Sequence, residues 1–161
     1  MRKLKLYLDT SVISHLFADD TPDKMADTNL LWQDFIDDKY EAYISQVVID
    51  EIEKCPEPKQ GMMLEKLRQV NFQFLPETDE VITLADEYVN GGVLNQKNIA
   101  DCRHIAHAVV NHCDVIVSWN FAHLANFKTI SKVKVVNAMF HYREINIMPP
   151  TMFLEKEDEQ E

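Results

Sequence analysis

Short apolar segments alternate with longer amphipathic ones along this chain, and that alternation constrains the fold more than any other feature. Residues 4–8 (Leu-Lys-Leu-Tyr-Leu), 41–45 (Glu-Ala-Tyr-Ile-Ser), 72–75, 114–117 (Asp-Val-Ile-Val) and 144–148 read as strands. Between them lie stretches with helical spacing, such as Thr28, Leu31, Trp32, Phe35 and Ile36. Boundary residues agree with this division. Thr10 and Ser11, Ser45, Thr78 and Asn98 are candidate N-caps, Cys55-Pro56-Glu57-Pro58 stops one helix, and Gly91-Gly92 ends another. A short helix is expected after Asn120. Strands alternating with helices predict an α/β fold: a mostly parallel sheet of four to five strands, covered on both faces.

With 161 residues, 46% of them hydrophobic, the chain has the size and the core of one domain, expected over residues 1–150. Only 3 glycines and 6 prolines leave little material for linkers. Residues 151–161 are expected to be an acidic, disordered, solvating tail. No apolar run approaches the ~20 residues that a membrane helix requires. The apolar stretch after the basic Met1-Arg2-Lys3-Leu4-Lys5 is broken by Asp9, too early for a signal sequence. Three cysteines (Cys55, Cys102 and Cys113) with no framework spacing suit reduced thiols. These features together predict a soluble, cytoplasmic protein with no membrane partner.

The formal net charge is -11, which argues against broad electrostatic attraction to nucleic acid. The segment 155–161 contributes five acids and one lysine to that balance. A nucleic acid would have to bind through local basic patches and a cation. Lys128, Lys132 and Lys134, together with Arg2, Lys3 and Lys5, are candidate phosphate contacts; solvated lysines are the plain alternative.

Sites in open parallel sheets form beyond the carboxyl ends of the strands. Asp9 ends the first strand, Glu51 lies on the helix after the second, Asp101 starts the helix before the fourth, and Ser118-Trp119-Asn120 follows the fourth. All four segments can meet at one sheet edge. At an effective dielectric of about 20 and a separation of about 5 Å, each carboxylate pair would cost roughly 3 kcal/mol. A cation relieves that repulsion, and oxygen ligands select Mg²⁺ or Mn²⁺. Such an ion suits phosphodiester hydrolysis. Each residue also has a structural reading. Asp9-Thr10-Ser11 can be a strand end with a helix cap, Glu51 a solvated helix residue, Asn98-x-x-Asp101 a capping arrangement and Asn120 an N-cap. Their convergence, not any one residue, favours a site.

At these residues the sequence resembles the PIN-domain nucleases, especially the VapC-like toxins of toxin–antitoxin pairs. The matching segments are Leu6-Tyr7-Leu8-Asp9-Thr10-Ser11-Val12-Ile13, Ile44-Ser45-x-x-Val48-x-x-Glu51-Ile52, Ala100-Asp101-x-x-His104-Ile105-Ala106-x-Ala108 and Ile116-Val117-Ser118-Trp119-Asn120-Phe121-x-His123-Leu124. The resemblance covers roughly residues 4–150. It implies a three-layer α/β/α fold and Mg²⁺- or Mn²⁺-dependent cleavage of RNA. Asp9, Glu51 and Asp101 would hold the metal. Asn120 stands where the family often has a fourth acid, which bears on a second metal. Thr10, Ser11, Ser118 and His104 would support the site, although ordinary packing is the favoured reading of His104. A cognate antitoxin and a homodimer are further implications. The alternative is a PIN-like scaffold that binds RNA or a protein without cleaving. Zinc at Cys102, His104, His107, His112 and Cys113 fits no usual spacing, since Cys102 and His104 diverge by about 200° on one helix. An aspartyl-nucleophile phosphatase would need an acid at position 11, which holds Ser11.

Overall fold

A computed structural model describes residues 2–155. The order of elements is β1 (Lys5–Leu8), α1 (Thr10–His15), α2 (Pro22–Ile36), β2 (Glu41–Ser45), α3 (Gln46–Glu53), α4 (Lys59–Leu67), β3 (Gln73–Leu75), α5 (Asp79–Asn90), α6 (Ile99–Val110), β4 (Val115–Val117), α7 (Phe127–Met139) and β5 (Asn146–Met148). The strands form one five-stranded sheet in the order β3-β2-β1-β4-β5, and every neighbouring pair is parallel. Leu6 stands opposite Ala42 on one side and Val115 on the other.

The alternation of side chains along the strands separates two cores. Tyr7, Leu75, Ile116 and Ile147 pack on α5, α6 and α7. Leu6, Leu8, Ala42, Ile44 and Val117 pack on α1 to α4. The fold is therefore the expected three-layer α/β/α sandwich. Central β1 is apolar because both of its faces are covered: Leu6, Tyr7 and Leu8 have no solvent exposure. Each such side chain contributes about 2 kcal/mol of burial.

Several boundaries follow the sequence signals. Ser45 Oγ accepts from Val47 N, Thr78 Oγ1 accepts from Val81 N, and α5 ends at Gly91 and Gly92, the latter at a φ of 76°. Others differ. Pro22 occupies the first turn of α2, which starts the helix earlier than its apolar spacing suggests. A 3-10 turn at Gln96–Asn98 precedes α6, and the Asn98 side chain donates to Asn95 rather than capping the helix. No short helix follows Asn120; a loop leads to α7, which Asn126 caps by accepting from Thr129 N.

A second 3-10 turn at Pro150–Phe153 seats on α2, with Thr151 donating to Asp27 at 3.1 Å and Phe153 against Tyr40. The first residues of the expected tail are thus ordered by an aromatic contact, while residues 156–161 lie outside the described residues. Among the described residues, no helix is long and apolar enough to cross a membrane. Cys55, Cys102 and Cys113 are free thiols, and burial pushes Cys102 and Cys113 up to about 12.

Helix α7 is held against α5 at two points. Tyr88 donates to Asn137 Oδ1 at 2.6 Å in the buried interface. At Gly91, a Cβ would meet Val136 Cγ2 at 2.7 Å, so the close approach requires glycine. These contacts fix α7 beside the end of α5.

Candidate active site

Asp9 lies just past the end of β1, between the two strands where the winding of the sheet reverses. It is 3% exposed, and both of its carboxylate oxygens accept hydroxyl hydrogen bonds: Oδ1 from Ser11 at 2.5 Å and Oδ2 from Ser118 at 2.6 Å. Those hydroxyls accept in turn from the backbone. Trp119 N donates to Ser11 Oγ and Asn120 N to Ser118 Oγ, each at 2.9 Å. The peptide after β4 thereby orients the acid after β1. Ser11 accordingly does not cap α1. Burial raises the Asp9 carboxyl above its usual range against the opposing effects of His104, Ser11 and Ser118, and Asp101 adds to the rise.

Glu51, on α3, accepts from Thr10 Oγ1 at 2.8 Å, and its Oε1 lies 2.5 Å from His104 Nε2. Burial acts to raise this carboxyl, but the hydrogen bond and charge of His104, with Thr10 and Lys54, hold it below the usual range. His104 projects from α6 and is 2% exposed. Its Nδ1 lies 2.6 Å from the Tyr7 hydroxyl, which contacts Ser45 Oγ at 2.7 Å. Burial opposes charge on His104, yet Glu51, then Asp9 and Asp101, raise its pKa. His104 is therefore more than packing: it is the buried partner of Glu51, and its charge also acts to lower the Asp101 carboxyl.

Asp101, in the first turn of α6, has its Oδ2 3.0 Å from His123 Nδ1. Burial raises its carboxyl, His104 and His123 lower it, and Glu51 raises it again. Asn120 is not an N-cap. Its side-chain oxygen accepts from His123 N at 3.0 Å, and its backbone oxygen accepts from Leu124 N and Ala125 N. Asn120 thus shapes the loop that carries His123 to Asp101. No role for His123 is evident from spacing, although it lies within the segment after the fourth strand.

The three acids reach one edge of the sheet from three elements. Among the described residues, no three His, Cys, Asp or Glu side chains converge closely enough to hold a metal ion. The expected ready-made cluster is instead three carboxylates, each held by its own donors, with the His104 imidazole as their shared neighbour. The donor set still suits a hard cation. It is all oxygen, and Asp9, Asp101 and Glu51 are coupled in sequence, Asp101 raising Asp9 and Glu51 raising Asp101.

Other basic candidates are spread apart. Arg2 pairs with Asp114, and Lys3 with Asp38, at the opposite end of β1. Lys134 pairs with Glu144. Trp119 is 7% exposed and donates through Nε1 to Thr28 at 2.8 Å, which makes it an anchor rather than a stacking surface.

A parallel sheet with acids gathered at its carboxyl edge defines a class of α/β proteins with a site at the switch point. The family model of the PIN domain matches residues 6–123, and this chain belongs to the PIN-domain family. Its fold is similar to that of a chain in the crystal structure of VapBC2 from Rickettsia felis bound to a DNA fragment from their promoter. That match has a TM-score of 0.53 and 12% identity, and covers 89% of this chain and 97% of the other. No curated protein sequence matches significantly.

Proposed function

We propose that this protein is a divalent-metal-dependent endoribonuclease, with Asp9, Glu51 and Asp101 as its central acids. One observation carries the reading: within the stretch that matches the PIN family, the buried imidazole of His104 contacts Glu51 directly and lies within electrostatic reach of Asp9 and Asp101. Acids so arranged at a strand edge suit hydrolysis of a phosphodiester, in which water attacks phosphorus and the bond to the leaving oxygen breaks. A bound Mg²⁺ or Mn²⁺ would supply an activated water and offset the phosphate charge. The residues of the chain provide the orientation. Ser11 and Ser118 fix the Asp9 carboxylate, Thr10 and His104 fix Glu51, and His123 fixes Asp101.

The proposal extends to a toxin of a toxin–antitoxin pair, supported by likeness in fold to VapBC2. It includes an antitoxin partner, a homodimer, a cytoplasmic location and a single domain over residues 1–150. A non-cleaving scaffold is the second reading, favoured by the engagement of Asn120 in its loop and of each carboxylate with protein donors. Titrating Mg²⁺ or Mn²⁺ against cleavage of single-stranded RNA separates the two. Cleavage that rises with the metal and saturates supports the enzyme, and no cleavage at any metal concentration supports the scaffold.

A further inference from the structure

Beside the acids, a groove of about 520 Å³ opens between two walls. That volume lies within the range of about 300–1,000 Å³ common to ligand sites. One wall is the segment joining α5 to α6, from Gly92 to Asn98; the other is the first turns of α7. His123 lines the groove and also contacts Asp101 at 3.0 Å, so one side chain links the groove to the acidic edge.

Its lining holds two lysines and no carboxylate, although the chain as a whole is acidic. Lys128 and Lys132, both lining the groove, pair with no carboxylate among the described residues. Lys132 instead donates to the backbone oxygen of Gly92 at 3.0 Å, linking the two walls. On the wall opposite α7, Asn98 Nδ2 donates to Asn95 Oδ1, which leaves the Asn95 amide nitrogen and the Asn98 amide oxygen available to a ligand. Two cations four residues apart on one helix face, opposite amide groups, suit a phosphate chain with sugars and bases against the far wall.

We propose that this groove binds the stretch of single-stranded RNA next to the cleaved bond, with Lys128 and Lys132 on its phosphates. The proposal rests on the ribonuclease reading. It predicts a substrate path between α7 and the α5–α6 connection, held by local charge despite the overall charge of the chain.

The test is fluorescence anisotropy of a labelled, unstructured RNA of about 12 nucleotides, titrated with the full-length protein in EDTA over a range of salt. The double variant Lys128→Ala/Lys132→Ala should bind about tenfold more weakly at low salt. Its log–log salt slope should be shallower by about 1.4, the share of two single-strand phosphates. Lys134→Ala should bind as the wild type does, and Lys128→Arg/Lys132→Arg should restore both affinity and slope. A loss of affinity with an unchanged slope would mark a structural defect and overturn the proposal. So would a double variant with wild-type affinity and slope, which would leave the ribonuclease reading standing. A wild type that binds no RNA in EDTA would overturn the groove, and the metal-dependent cleavage assay would then decide the ribonuclease reading separately.

Discussion

His104 on α6 and Glu51 on α3 lie 2.5 Å apart, joining two helices through one buried imidazole. Replacing His104 with alanine leaves Glu51 with Thr10 alone and strands the Tyr7 hydroxyl on one side. Because Glu51 is partly exposed, the cost should be about 2 kcal/mol, below that of a fully buried pair. His104→Gln, which keeps a donor, should lose less. Urea denaturation of both variants measures the difference.

His107 gives a separate dependence on pH. It has no solvent exposure, neither ring nitrogen has a partner among the described residues, and burial pushes its pKa down to about 4. The unfolded chain takes up this proton near pH 6.5, whereas the folded chain resists until about 4. The contribution of the neutral ring to stability is thus complete above pH 6.5 and is lost as the pH falls toward 4. The loss should be on the order of 3 kcal/mol. His107→Leu should remove this component, so that the stability difference between variant and wild type grows as the pH falls. A difference that stays constant from pH 7.5 to 4.5 would contradict it.

Ser118→Ala removes one of the two hydroxyls on Asp9 and leaves Asn120 N without its acceptor. The expected cost is about 1–2 kcal/mol of stability. RNA cleavage should fall more than that of Thr10→Ala, because Asp9 is the more deeply buried acid. Thermal unfolding and cleavage rates on the same preparations test both statements.

Gly91→Ala should destabilise by about 1–2 kcal/mol, because its new methyl group would press on buried Val136 and push α7 away from α5. The same displacement should weaken RNA binding through the groove. A variant as stable as the wild type would show that the two helices can separate freely.

Much of this arrangement was legible in the sequence for a physical reason. Strands covered on both faces must be apolar throughout, so β1 and β4 announce themselves, and the acids beyond them fall at the edge where parallel sheets place sites. The partner of each acid was not legible. His104 sits three residues after Asp101 and shares its helix face, yet it reaches across to Glu51. Ser11 reads as a cap but serves Asp9. Asn120 reads as a cap too, whereas the capping signal belongs to Asn126, whose side chain takes Thr129 N. Such pairings depend on how helices dock, which spacing along one helix does not encode. The loop between Asn120 and Asn126 has no periodicity to read, and it is that loop that brings His123 to Asp101.

The most direct measurement is Mn²⁺-dependent cleavage of a labelled single-stranded RNA by the wild type, Asp9→Asn and Asp101→Asn, each first shown to be folded. The wild type should cleave, and each variant should lose at least about a hundredfold in rate, since each removes charge at the reacting centre. Cleavage by either variant at the wild-type rate would contradict a reaction centre built on these acids.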